Sequence, residues 1–134
     1  MSRVNLADAL THEHRDIDAG IEAFVAHLDR SIVRPELLLA AFEALRRHIY
    51  LEEEFLFPPI RRRGVVMPVL VMLREHGTLW SLMDVLTDLL DDDHQPDGGR
   101  LMLTCQELLA QLDQHNSKEE PIIYPRADTV SLTA

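Results

Sequence analysis

Four stretches of this chain carry buried-type residues at alternating intervals of three and four, the spacing of one helix face turned to a core. The first stripe is Leu10, His14, Ile17, Ile21, Phe24 and Leu28; the second is Leu38, Ala41, Leu45, His48, Glu52 and Phe55. The third runs Val69, Met72, His76, Leu79, Met83, Leu86 and Leu90, and the fourth Leu101, Cys105, Leu108, Leu112, His115, Glu119 and Ile122. Punctuation between them predicts the helix bounds. An Asn5 cap starts the first helix, which runs to about Asp29, and Ser31–Pro35 is a turn with Pro35 at the first position of the second helix. That helix ends at Phe57, ahead of Pro58–Pro59. Ile60–Met67 connects to a third helix opened by Pro68. The charged, Pro- and Gly-containing run Asp91–Gly99 is a loop. A fourth helix covers about Arg100 to Glu120, where Pro121 must end or kink it. Short connections make neighbours antiparallel, so the expected fold is all-α: an up-down-up-down four-helix bundle over residues 1–126, with a disordered tail at 127–134.

The halves repeat. His48–Pro58 reads HIYLEEEFLFP and His115–Pro125 reads HNSKEEPIIYP, both His-x-x-x-Glu-Glu-x-apolar-apolar-aromatic-Pro. In each, a His four residues before a Glu puts both side chains on one helix face, one turn apart. Each copy follows a helix with a lone core His inside a Glu-His pair, THEHRDI for His14 and LREHGTL for His76. The chain is thus two helical hairpins of one design. At about 1.5 Å per residue, all four histidines lie at a similar height, roughly 12–15 Å from one end.

Polar groups on a core face need a reason. No Lys or Arg lies on any stripe to pair with Glu52 or Glu119. Burying an unpaired carboxylate costs several kcal/mol, on the order of a sizeable part of a domain's stability. Four imidazoles and two carboxylates meeting at one level therefore call for a cation. Without thiolate ligands, iron, manganese or zinc is favoured over an iron–sulfur cluster or a Cys-type zinc site. The set overfills one tetrahedral ion. It suits two octahedral ions when both carboxylates and an oxo or hydroxo group bridge, with two positions left open.

Composition narrows the class. The 134 residues, 46% apolar, make one domain able to bury a core unaided. A formal charge of −10 argues against a nucleic-acid footprint. The one basic run, Arg61–Arg63, reads as a solvated loop. Cys105 is the single cysteine, which excludes an internal disulfide and, on an apolar stripe, reads as a buried inert thiol. Neither a signal peptide nor a membrane-length apolar run is evident, which gives the expectation of a cytoplasmic protein without a membrane partner.

Taken together, the isolated His, HxxxE, Glu-His and second HxxxE with an aromatic-Pro end resemble the hemerythrin-like (HHE) family over about residues 6–125. The resemblance implies a non-haem di-iron centre, oxo- or hydroxo-bridged, within a four-helix bundle. It implies His14 and His48 as ligands of one iron, His76 and His115 as ligands of the other, and Glu52 and Glu119 as bridges. Three departures stand out. Oxygen carriers of the family bear a second His one turn from the third-helix ligand, where this chain has Met72 and Trp80. Their last carboxylate lies five residues after its His; here both Glu119 and Glu120 are available, and the repeat with Glu52 selects Glu119. Tyr50 is close in sequence but about 200° around the helix from His48. His12, His27 and His94 fall off the stripes and receive no role. The expected function is binding of, or reaction with, O2, NO or hydrogen peroxide, in sensing or in defence, with weak catalase-like turnover as the possible enzyme activity. The alternatives are iron storage or donation, metal-centre repair, and a redox module read by an unidentified protein partner.

Overall fold

The computed structural model describes residues 6–91 and 96–127. Four long helices carry the stripes: α1 (Leu6–Leu28), α2 (Pro35–Leu51), α4 (Met67–Leu90) and α5 (Gly98–Ile122). Two short helices, α3 (Phe57–Arg62) and α6 (Tyr124–Ala127), follow α2 and α5. The described residues are helical with short connections, so the all-α class stands. Asn5, His94 and residues 128–134 lie outside the described residues. Pro35 stands in the first turn of α2, and Asp97 caps α5 by accepting from the Arg100 amide at 3.1 Å. Among the described residues no helix is long and apolar enough to cross a membrane.

The helix ends depart from expectation. Beyond Leu51 the chain does not stop at Pro58 but widens into a π-helical turn, Glu52–Leu56, and re-forms as α3. Pro58 and Pro59 lack backbone donors, so the preceding carbonyls lose their α-helical partners, and the Phe57 amide reaches back five residues to the Glu52 carbonyl. At the other copy Pro121 is accommodated inside α5, which turns at Ile123 and resumes as α6. The register shifts accordingly. Phe55 and Ile122, expected inside by the α-helical period, are 52% and 41% exposed, while Leu56, Phe57, Ile123 and Tyr124 are buried in their place. Ile60–Arg62 is helix rather than connector, and Ala127, assigned to the tail, is buried in α6.

α1 packs on α2 and α5, and α4 packs on α5 and α2. Gly20 permits the α1–α2 approach, since a Cβ there would lie 3.2 Å from that of Ala41. Two apolar cores result. The larger gathers Ile17, Phe24, Leu38, Phe42, Met83 and Leu108 with their neighbours, and the smaller gathers Leu56, Phe57, Val69, Met72, Ile123 and Tyr124. Along α1 and α4 the histidine falls between a member of one core and a member of the other, His14 between Leu10 and Ile17 and His76 between Met72 and Leu79; His48 and His115 follow Leu45 and Leu112 of the larger core and precede Leu56 and Ile123 of the smaller. The polar layer is therefore dry on both sides. Cys105 sits inside the larger core, where burial pushes its thiol up to about 12.

Gly77 is the one weak helix former beside this layer, exposed in mid-α4 with open space where a Cβ would stand. Gly77→Ala is expected to stabilise the chain by about 0.5–1 kcal/mol, measured by denaturant unfolding.

Candidate metal centre

The four long helices each bring one imidazole to the polar layer, and the start of the π turn after α2 (Glu52) and α5 (Glu119) each add a carboxylate one turn further on. His14, His48, His76, His115, Glu52 and Glu119 are all buried. Their ligand-type atoms form two sets, each within 4.8 Å: His14, His48, Glu52 and Glu119, then His76, His115, Glu52 and Glu119. Both carboxylates belong to both sets. Glu52 directs Oε2 to His48 Nε2 (3.5 Å) and Oε1 to His76 Nε2 (3.1 Å). Glu119 directs Oε1 to His14 Nε2 (3.1 Å) and Oε2 to His115 Nε2 (3.3 Å). Every residue expected at the site is thus brought to it, and each carboxylate divides its oxygens between the two histidine pairs.

The structure adds four carboxylates that pattern reading did not assign. Each histidine uses Nε2 inward and donates from Nδ1 to a partly exposed Glu: His48 to Glu13 (2.6 Å), His76 to Glu53 (2.8 Å), His115 to Glu75 (2.9 Å) and His14 to Glu120 (3.0 Å). Ionised carboxylates only accept, so these bonds place a proton on Nδ1, and in the neutral ring they leave the Nε2 lone pair facing the centre. The arrangement was latent in the repeat. Glu13 and Glu75 are the Glu of the two Glu-His pairs, and each binds the next long helix. Glu53 and Glu120 are the second Glu of each Glu-Glu pair, and each binds a lone His. Together they link α1 to α2, the π turn to α4, α4 to α5 and α5 to α1. Lys118 pairs with Glu75 from outside.

The buried carboxylates and imidazoles shift one another's titration. Burial works against charge on His48, but hydrogen bonds to Glu13 and Glu52 and the fields of Glu52 and Glu119 raise its pKa to about 10. His115 is raised too, against burial, by Glu119 and Glu75. Burial likewise opposes charge on Glu119, yet the bonds to His115 and His14 hold its carboxyl well below the ordinary range. These protons do not satisfy everything. Glu52 Oε1, His76 Nε2 and Glu119 Oε2 are buried with no hydrogen-bond partner, all facing the His76–His115 set. Among the described residues, ion-pair partners of Glu52 and Glu119 are all imidazoles. Convergent lone pairs, buried negative charge and orphaned ligand atoms are what a cation site presents, so the residues fit a bound metal.

Tyr124 was missed. Its hydroxyl lies 2.7 Å from His14 Nε2 and 3.0 Å from His48 Nε2, and donates towards Glu119 Oε1 (2.8 Å) and Glu52 Oε2 (2.9 Å). Burial, then the charges of Glu52 and Glu119, push the phenol pKa upward. Tyr50, by contrast, is 57% exposed against Phe55, and Glu120 serves His14 Nδ1 rather than the centre. His12 is exposed beside Asp16 and His27 donates to the Ala23 carbonyl, in keeping with no role at the site. Met72 joins the smaller core, and Trp80 lies partly exposed near Arg46.

Glu13→Gln is expected to weaken metal affinity about 10–100-fold, read by chelator competition, because a neutral amide fixes His48 Nδ1–H less strongly. The metal-stripped protein should also show a defined pH dependence. The folded pKa of His48, about 10, exceeds the ordinary 6.5, so its stabilisation is complete below 6.5 and lost as pH rises towards 10. Its melting temperature by circular dichroism should therefore fall from pH 7 to pH 10. With metal bound the sign reverses, since acid protonates the ligands and releases the ion.

Similarity to known proteins agrees with this geometry. The iron–sulfur cluster repair proteins YtfE of Yersinia pestis (strain Pestoides F) and Yersinia pseudotuberculosis (serotype O:1b) are each 33% identical to this chain over 98 residues. The matched region is 67% of this chain and 44% of each relative, so the chain spans less than half the length of those curated proteins. No solved structure matches it. The family model described as the Hemerythrin HHE cation binding domain matches residues 5–127, from before α1 to the end of α6. That span takes in every residue of the polar layer, and the chain belongs to the hemerythrin HHE cation-binding family.

Proposed function

We propose that this chain is a di-iron protein of metal-centre repair, holding an iron pair that it supplies to damaged iron–sulfur centres. The observation that carries the reading is the division of Glu52 and Glu119, one oxygen of each facing each histidine pair. In it, His14 and His48 hold one ion, His76 and His115 the other, and the two carboxylates bridge. The four long helices form an antiparallel up-down-up-down bundle around them, a reading supported by the short connections and by the packing of α1, α2, α4 and α5 as successive neighbours. Iron bound there would supply redox change and open coordination positions. The chain's residues do the rest: Glu13, Glu53, Glu75 and Glu120 hold the Nδ1 protons and aim the imidazoles, while the two apolar cores exclude water. Repair, rather than oxygen carriage, is supported by the named activity of the YtfE relatives and by the lack of a fifth imidazole on α4.

A second reading, binding of O2, NO or hydrogen peroxide at the same pair, is favoured by the orphaned atoms beside His76. Two irons per chain are expected by metal analysis. Iron-loaded protein incubated with a cluster-free iron–sulfur acceptor, sulfide and thiol should restore the acceptor's cluster spectrum. Iron that stays with the chain for hours against a strong chelator, and never reaches the acceptor, overturns the repair reading. A spectral change on adding NO or peroxide to that same retained iron would favour the second.

A further inference from the structure

The two halves of the site differ by one oxygen atom. Phe57 and Tyr124 occupy matching places in the repeat, each five residues after its core Glu and directly before a Pro. Both rings stack on the lone histidine of the opposite hairpin. Phe57 lies over His76 (5.5 Å between ring centres, 19° between planes) and Tyr124 over His14 (5.2 Å, 28°). The Tyr124 hydroxyl therefore reaches a centre that Phe57, on its own side, can only cover.

At the His14–His48 side that hydroxyl stands among four ligand-type atoms, two Nε2 and two carboxylate oxygens, at 2.7–3.0 Å. One phenol has a single proton to give, and Nδ1 of both histidines already donates to Glu120 and Glu13, so with both rings neutral, as ligation requires, all four neighbours present lone pairs. Adjacent ligand atoms on an octahedral ion with bonds of about 2.0–2.1 Å are separated by about 3 Å, the spacing seen here. The phenol oxygen stands where a fifth ligand of one octahedral ion would stand. At the His76–His115 side the described residues supply no fifth atom, and the orphaned Glu52 Oε1, His76 Nε2 and Glu119 Oε2 are all on that side. A surface cleft lined by Glu53, Phe57, Arg61, Arg62 and Val69 reaches the Phe57 ring from outside.

Building on the two-metal reading above, we propose that Tyr124 ligates the ion held by His14 and His48 through its phenol oxygen. The ion held by His76 and His115 is left as the one that takes a small anionic or diatomic ligand. Ligation replaces the phenol O–H bond with an O–metal bond and releases one proton to solvent. The phenol blocks one half of the site, and Phe57 keeps the other half dry without filling it.

The full chain loaded with ferric iron tests this through metal count, visible and resonance Raman spectra, and titration with azide. Wild type should hold two irons, show a phenolate-to-iron charge-transfer band with tyrosine ring vibrations, and bind azide. Tyr124→Phe should lose the band while keeping two irons. Tyr50→Phe, altering the only other tyrosine, should leave it unchanged. Phe57→Tyr should strengthen the band and weaken azide binding at least tenfold. Two irons in wild type without tyrosine vibrations, a band that survives Tyr124→Phe, or azide binding unaffected by Phe57→Tyr would each overturn the proposal with the iron pair intact. Fewer than two irons in wild type would overturn the underlying pair itself, and the metal count separates the two failures. Ring-deuterated tyrosine in wild-type protein decides the ligand should Tyr124→Phe fold poorly.

Discussion

The structure depends on compensating two carboxylates placed where water cannot reach them. Glu52 and Glu119 stand between two apolar cores, and neither has a Lys or Arg partner among the described residues. Bare, such charges would cost about as much as a small domain's whole margin of stability. Protons drawn onto His48 and His115 lessen the imbalance. They leave three ligand-type atoms, Glu52 Oε1, His76 Nε2 and Glu119 Oε2, without a hydrogen-bond partner. This explains why so much of the surrounding sequence serves orientation.

That orientation comes from the outer carboxylates. An imidazole on a helix can rotate and can present either nitrogen, and four of them would not converge by packing alone. Glu13, Glu53, Glu75 and Glu120 settle both choices from the rim of the site, where each is partly exposed. Each bond crosses to another long helix, so the arrangement that aims the histidines also ties the helices at the level of the centre. Structural and chemical roles are therefore not separable at these positions.

The inequivalence of the halves arises in the chain's second departure from ideal geometry, the turns after Glu52 and Glu119. An uninterrupted α-helix would have turned Phe55 and Ile122 inward. The π turn, whose carbonyls lost their donors to Pro58 and Pro59, and the break after Pro121 bring the fifth residue under the Glu instead. A repeat that places an aromatic ring over each lone histidine thereby needs only a Phe in one copy and a Tyr in the other to distinguish them.

Much of this was legible in the sequence. Periodicity of three and four is a direct consequence of helix geometry, so the four stripes, the core histidines and the two inward glutamates followed from spacing alone, and the common height followed from counting from the ends. Tyr124 did not follow, because its position depends on a proline-induced change of helical period that an α-helical walk steps over. Neither did the outer glutamates: Glu13, Glu53, Glu75 and Glu120 lie one residue off the core face, where sequence shows only a solvated charge. Their partners are 23 to 106 residues away. The sequence by itself thus determined which residues of the four long helices face inward as far as Glu52 and Glu119, and at what depth, but not the register beyond them, where Phe55 and Ile122 turn outward. Only tertiary structure decided which carboxylate meets which imidazole, and which half of the centre carries the phenol, because those pairings exist between helices and not along them.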